Sequence, residues 1–166
     1  MDHDSDLLSL FLSASDVFTE AAVVDELIDF FLAAVVTSQF TMQTLCTHFS
    51  QERASLRRVR TEFGAIVGHG SPHTEGKDLT SLGRAVTYDS LQEMDYLGRC
   101  IMEALRFQAP ASATSPYECL VDVKLGNISF KKGDRLVVYT EGVHFHSGQW
   151  QQPRKFDPNR FDISHP

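Results

Sequence analysis

Apolar side chains recur with a helical period along much of the first hundred positions. Leu7, Leu8, Phe11 and Leu12 predict a short amphipathic helix with Ser5 as its capping residue and a turn at residues 13–16. Thr19 is placed as an N-cap, and Glu20, Asp25, Glu26 and Asp29 gather toward the positive end of the helix it starts. From there the apolar positions run Val24, Leu27, Ile28, Phe31 and Val35, with neither Gly nor Pro before Ser50. A helix over residues 20–49 is about 45 Å long at about 1.5 Å per residue. Residues 30–36 are apolar on several sides, which implies that this helix crosses the interior of something larger than a compact small domain.

A second helix is predicted over residues 51–67, with Leu56, Val59, Phe63, Ile66 and Val67 on its buried face. Its other face carries Arg53, Arg57, Arg58 and Arg60, which read either as a solvated surface or as a docking surface for an acidic partner. Gly68, Gly70, Pro72 and Gly76 make residues 68–77 a loop. His69 and His73 lie in that loop with only Glu75 as a further ligand type, so no metal site is expected. A short helix is predicted at residues 78–85 and a firmer one at 94–107, where Leu97, Ile101 and Leu105 fall at i, i+4 and i+8 before Pro110. Beyond it the texture becomes β-prone. Residues 119–123 and 127–130 flank Lys124-Leu125-Gly126, a turn follows at 131–134, and 135–140 is a further strand candidate. Residues 141–166 read as an ordered, irregular tail. The expected fold class is mainly α with a small β component.

Composition narrows the function. The chain has 166 residues, of which 42% are hydrophobic, twelve of them Phe, enough for a packed core. Its 22 acidic residues exceed its 15 basic ones, a net charge of −7, which argues against a protein that tracks phosphate backbones, so no nucleic-acid partner is expected. Cys46, Cys100 and Cys119 are odd in number and widely spaced; they form neither a disulfide framework nor a zinc site and imply a reducing compartment. The acidic start Met1-Asp2-His3-Asp4 does not resemble a secretory signal. The longest uncharged run, residues 30–47, is short of the ~20 apolar residues of a span and contains several Thr, Ser and Gln, so no membrane segment is expected.

Glu103 and Arg106 project from one face of the helix at 94–107. As an isolated i,i+3 pair they are worth only about 0.2–0.5 kcal/mol. Their company carries more. Downstream come Ile128-Ser129-Phe130-Lys131-Lys132-Gly133-Asp134, then a stretch from His144 to Trp150, then Phe156-Asp157-Pro158-Asn159-Arg160-Phe161. In that order and spacing the chain resembles the cytochrome P-450 superfamily, the haem-thiolate monooxygenases, with Glu103-Ala104-Leu105-Arg106 as its Glu-x-x-Arg block. Upstream, residues 24–33 followed by Ala33-Ala34-Val35-Val36-Thr37-Ser38 resemble the central helix and its Ala-Gly-x-(Asp/Glu)-Thr-(Thr/Ser) motif.

The resemblance implies a partial cytochrome P-450 fold in which residues 1–166 are an internal segment of one larger domain. It implies a structural triad of Glu103, Arg106 and Arg160 that locks an irregular meander beneath the haem. Ala33, Ala34 and Thr37 would face the haem on the central helix. Thr37 would serve either proton delivery to dioxygen or a back-bond to the carbonyl four residues earlier. The implied cofactor of the full-length protein is haem b, and the implied partners are a reductase and a small apolar organic substrate. Association with the endoplasmic-reticulum membrane on its reducing cytosolic side is compatible with it.

Three features depart from the family pattern. Val36 stands where an acid is usual, Ala34 stands where Gly is usual, and no basic residue lies between Arg106 and Lys124 to meet a haem propionate. The axial cysteine belongs to a Phe-x-x-Gly-x-x-x-Cys-x-Gly loop, which these residues do not contain. Cys46, Cys100 and Cys119 read instead as core-filling residues. The expectation is a segment of a haem monooxygenase that does not by itself bind haem stably. The alternative is a truncated, non-catalytic relative acting as a binding or structural module. An acidic helical interaction domain is the third reading.

Overall fold

A computed structural model describes residues 6–14, 17–67 and 86–162. The chain divides into two units, residues 1–40 and 41–166. Helix α1 (Leu7–Ser13) opens the first unit. Its cap is Asp6, whose carboxylate accepts from the Ser9 amide at 2.7 Å; Ser5 lies outside the described residues. The apolar pattern of α1 finds its use in Phe11, which meets Phe18 edge-on at 5.2 Å and tilts against Phe30 at 6.2 Å.

Helix α2 (Glu20–Gln51) is the long helix that the uninterrupted pattern predicts. Thr19 starts it, accepting the Ala22 amide at 3.2 Å. Its middle keeps apolar side chains in the open, Phe31 being 67% exposed. It runs past the boundary of the first unit and ends at Gln51, so α3 (Arg53–Val67) begins two residues later than its pattern suggested. The predicted loop at 68–77, with His69 and His73, and the helix at 78–85 lie outside the described residues.

In the second unit, α4 (Tyr88–Gln92) was not anticipated from the periodicity. A reciprocal cap makes it: Thr87 Oγ1 accepts from the Ser90 amide at 3.1 Å, and Ser90 Oγ accepts from the Thr87 amide at 2.9 Å. Helix α5 (Asp95–Phe107) follows. Its apolar stripe misleads. Ile101 and Leu105 stay partly exposed, while the buried face is Tyr96, Cys100, Glu103, Ala104 and Arg106. Hydrophobic periodicity finds the face that avoids water, and this helix instead buries a mixed face in which partners satisfy Glu103 and Arg106.

The β component is small and nested. Strand β1 (Tyr117–Glu118) pairs antiparallel with β4 (Arg135–Leu136), enclosing a hairpin of β2 (Val123–Leu125) and β3 (Ile128–Phe130) in which Lys124 faces Ser129. Gly126 turns the hairpin at φ +58°, and Gly133 turns the next corner at φ +91°, where a Cβ would be strained. Cys119 precedes the inner strands rather than lying in one, and the strand candidate at 135–140 is cut short as Thr140 opens α6 (Thr140–His144). A single 3₁₀ turn, Pro158–Phe161, capped by Asp157, closes the described chain and packs on α5. Mainly helical with a few short strands, the fold agrees with the class expected from the sequence.

Candidate functional site

The second unit is organised around one buried carboxylate. Glu103 on α5 is 0% exposed and Arg106, one turn later, 3%. The guanidinium donates through Nε to Glu103 Oε2 at 2.7 Å and through Nη2 to Oε1 at 2.9 Å, a planar fork matched to both carboxylate oxygens. Two further donors reach Oε1: the backbone amide of Asp157 at 2.7 Å and Nε of Arg160 at 3.3 Å. Glu103, Arg106 and Arg160 thus share one knot.

Two arginines against one carboxylate leave a positive excess, and backbone oxygens absorb it. Arg106 Nη1 donates to the carbonyls of His144 at 2.8 Å and Pro153 at 3.0 Å, and its Nη2 reaches Lys155 O at 3.4 Å. Arg160 Nη2 donates to Gln152 O at 2.8 Å and Lys155 O at 3.3 Å, while its Nη1 donates to Gln151 O. Residues 144–155 have no sheet to satisfy their carbonyls, and the guanidinium groups do so instead. This is what holds an irregular segment in one shape. Gln152 sits there at φ +45°, rare for a residue with a Cβ, its carbonyl bonded to Arg160.

Aromatic rings wall the knot. Arg106 lies 5.1 Å from the Trp150 ring centre and 5.5 Å from that of Phe145. Phe107 meets Phe145 edge-on at 5.5 Å. His48, near the end of α2, stacks on Phe156 at 4.0 Å and meets Phe107 edge-on at 4.8 Å.

Burial holds the His48 imidazole below its ordinary value, against the opposing pull of the Glu52 and Glu103 charges. With the folded value depressed, the unfolded chain binds more protons in the window below about 6.5. The contribution of His48 is therefore full above that pH and is lost as pH falls through it. The expected result is a melting temperature that drops between pH 7.5 and 5.5, with a smaller drop in His48→Phe, which keeps the stacking and cannot titrate. An identical drop in both proteins would remove His48 from the acid response.

The remaining residues singled out in the sequence stand elsewhere. Ala33, Ala34 and Thr37 are exposed on α2 in the first unit, and the Thr37 hydroxyl donates back to Ala33 O at 2.9 Å. Cys46 is exposed, against the expectation that it fills a core, whereas Cys100 and Cys119 are buried. Of the α3 arginines, Arg58 is engaged: Nη1 donates to Asn159 Oδ1 at 3.1 Å, and the guanidinium lies 3.8 Å from the Tyr96 ring centre. Sequence reasoning missed two contributors. The Asp157 amide reaches Glu103, and Glu62 on α3 receives the amides of Tyr96 at 2.7 Å and Leu97 at 2.9 Å. A backbone donor leaves no signature in residue type. Glu62 could have been noticed, since Ser55, Arg58 and Glu62 share one helical face.

A family model described as Cytochrome P450 matches residues 1–165. The chain is 28% identical over 140 residues to (1S)-1-hydroxy-luvungin A synthase CYP88A37 of Citrus sinensis, covering 84% of this chain and 26% of that protein. It is 27% identical over 168 residues to cytochrome P450 71B5 of Arabidopsis thaliana, covering 96% of this chain and 31% of that one. With cytochrome P450 4A2 of Rattus norvegicus it shares 34% identity over 109 residues, 66% of this chain and 19% of the relative. Among solved structures, a zebra fish cytochrome P450 with abiraterone superposes with a TM-score of 0.79 at 22% identity, covering 97% of this chain and 38% of that one. The chain thus spans about a fifth to a third of the length of these three curated relatives.

Proposed function

The chain belongs to the cytochrome P450 family, and on that premise we propose that it is an internal segment of a haem-dependent monooxygenase, the part that builds the support beneath the haem. The observation that carries this reading is the Glu103 knot. A carboxylate with no exposure orients Arg106 and Arg160, and their guanidinium groups bond the carbonyls that fix the irregular stretch at 144–155 against α5. Rigidity there suits a cofactor floor, because a bound group is only as well placed as the shell that holds it.

The residues present fit the wall of such a site and not its axial position. Ala33 and Ala34 are small and Thr37 carries a hydroxyl, and in this proposal they line the haem face of α2, with Thr37 able to hold a proton at Oγ1. An axial thiolate is another matter. Burial pushes the Cys100 thiol up to about 11, so it stays protonated at neutral pH. Among the described residues no group of three or more His, Cys, Asp or Glu side chains is arranged to hold a metal. Haem b, when bound in the whole protein, would supply dioxygen chemistry; the substrate class is a small apolar organic molecule and the electron source a reductase. Among the described residues no helix is long and apolar enough to cross a membrane, and attachment at the endoplasmic reticulum remains part of the proposal for the whole protein.

The test is to read the transcript past the Pro166 codon and express the whole frame with haem. A downstream Phe-x-x-Gly-x-x-x-Cys-x-Gly loop, with a thiolate-type Soret band on reduction under carbon monoxide, is the expected result. Residues 1–166 alone should give no such band. A frame that stops without the loop and a product that binds no haem would replace this reading with that of a non-catalytic binding module.

A further inference from the structure

Helix α5 carries the knot at one end and a second set of contacts at the other. Its buried face runs Tyr96, Cys100, Glu103, with Tyr96 gripped by α3. Glu62 receives the amides of Tyr96 and Leu97 at 2.7 and 2.9 Å, using both carboxylate oxygens. The Tyr96 hydroxyl donates to Ser55 Oγ at 3.3 Å, a buried contact, and Arg58 covers the ring at 3.8 Å. Met94, the N-cap residue of α5, provides no side-chain cap, so the carboxylate that caps α5 comes from another helix.

This geometry constrains α5 as a rigid body. Two amide bonds to one carboxylate fix the helix along its axis. The Tyr96 ring, held by Ser55 at its tip and Arg58 on its face, fixes rotation. Glu103 lies seven residues on, about 10 Å along the axis at about 1.5 Å per residue, so a small turn of α5 would swing its carboxylate away from Asp157 and Arg160. Arg58 also reaches the other side of the knot directly, since it donates to Asn159, the neighbour of Arg160 in the 3₁₀ turn.

We propose that Arg58 and Glu62 are positioning residues that set α5 and the 3₁₀ turn in register, so that Glu103 meets Arg160. The importance of that register for a cofactor floor rests on the proposed function; the coupling itself does not. Arg58 is then neither a merely solvated charge nor free to serve as part of a docking surface, while Arg53, Arg57 and Arg60 keep both readings.

Hydrogen exchange followed by mass spectrometry on the full chain tests this, with Glu62→Gln, Arg58→Ala and Arg58→Lys. The β2–β3 hairpin serves as an internal reference. Glu62→Gln should speed exchange at the Tyr96 and Leu97 amides about tenfold, the scale of a lost charge-assisted bond. The positioning role adds a several-fold rise across residues 151–161, which Glu62 does not touch. Arg58→Ala should give the same distant rise, and Arg58→Lys, which lacks the planar fork, should do so more weakly. An increase confined to α3 and the start of α5 would make Glu62 a local cap and overturn the proposal. A uniform increase that includes the hairpin would overturn it as well, marking general loss of stability. Exchange is read whether or not haem binds, so a failed carbon monoxide spectrum beside the expected exchange pattern would sink the monooxygenase reading alone.

Discussion

Replacing Glu103 by Ala is expected to cost about 3–5 kcal/mol, the range seen when one partner of a buried ion pair is removed. The loss comes less from the missing attraction than from what stays behind. Arg106, with a side chain 2% exposed, would keep its charge and lose both bonds of its fork. The Asp157 amide and Arg160 Nε would lose their acceptor at the same time. A single domain holds about 5–15 kcal/mol in all, so this one change removes a large share. Urea unfolding followed by circular dichroism measures it. Glu103→Gln should lose less, because the amide oxygen still accepts, though without charge. A Glu103→Ala protein within about 1 kcal/mol of the unaltered chain would show that the knot contributes little to holding the fold.

Arg106→Lys comes second, and it is not conservative here. The guanidinium makes five bonds in fixed directions, two to Glu103 and three to the carbonyls of His144, Pro153 and Lys155. An ammonium group has three donors and no plane, so it can keep Glu103 or the carbonyls but not both sets. The part-buried carbonyls of His144 and Pro153 cost about 1–3 kcal/mol each when left without a donor, while Lys155 O keeps its bond from Arg160, which puts the total at about 3 kcal/mol. Exchange protection should fall most in residues 144–155. Arg160→Lys should cost less, because Arg160 contributes one longer bond to Glu103, at 3.3 Å, and its side chain is more exposed than that of Arg106. If Arg106→Lys proves as mild as a typical surface change, within about 0.5 kcal/mol, the planar fork of Arg106 is not what holds residues 144–155.

Both predictions depend on residues that the resemblance grouped as a triad without the backbone partners that complete it. Glu103 and Arg106 are three apart on a helix, a spacing that occurs on many solvated surfaces. What raised them above that background was the ordered series of motifs downstream, ending in Arg160. Through the resemblance those motifs grouped the three side chains and left their backbone and α3 partners open. The Asp157 amide and the carbonyls of the irregular segment carry no residue code, and Glu62 and Arg58 act from a helix read as one apolar face and one charged face.

What the sequence determined by itself is local. The absence of Gly and Pro before Ser50 set the length of α2, Thr19 set its start, and Gly126 and Gly133 set the corners of the small β region, because each depends on the chain within a few residues. The tertiary structure decided which face of α5 is buried. Leu97, Ile101 and Leu105 mark an apolar stripe, yet Tyr96, Cys100 and Glu103 go inside. Burying an unpaired carboxylate would be prohibitive, and the apolar alternative would have won on local pattern alone. Two donors from Arg106, one turn along the same helix, and two from one distant stretch, the Asp157 amide and Arg160, reverse that balance at Glu103. No local rule contains the Asp157 and Arg160 donors, because they reach Glu103 only when the chain has folded.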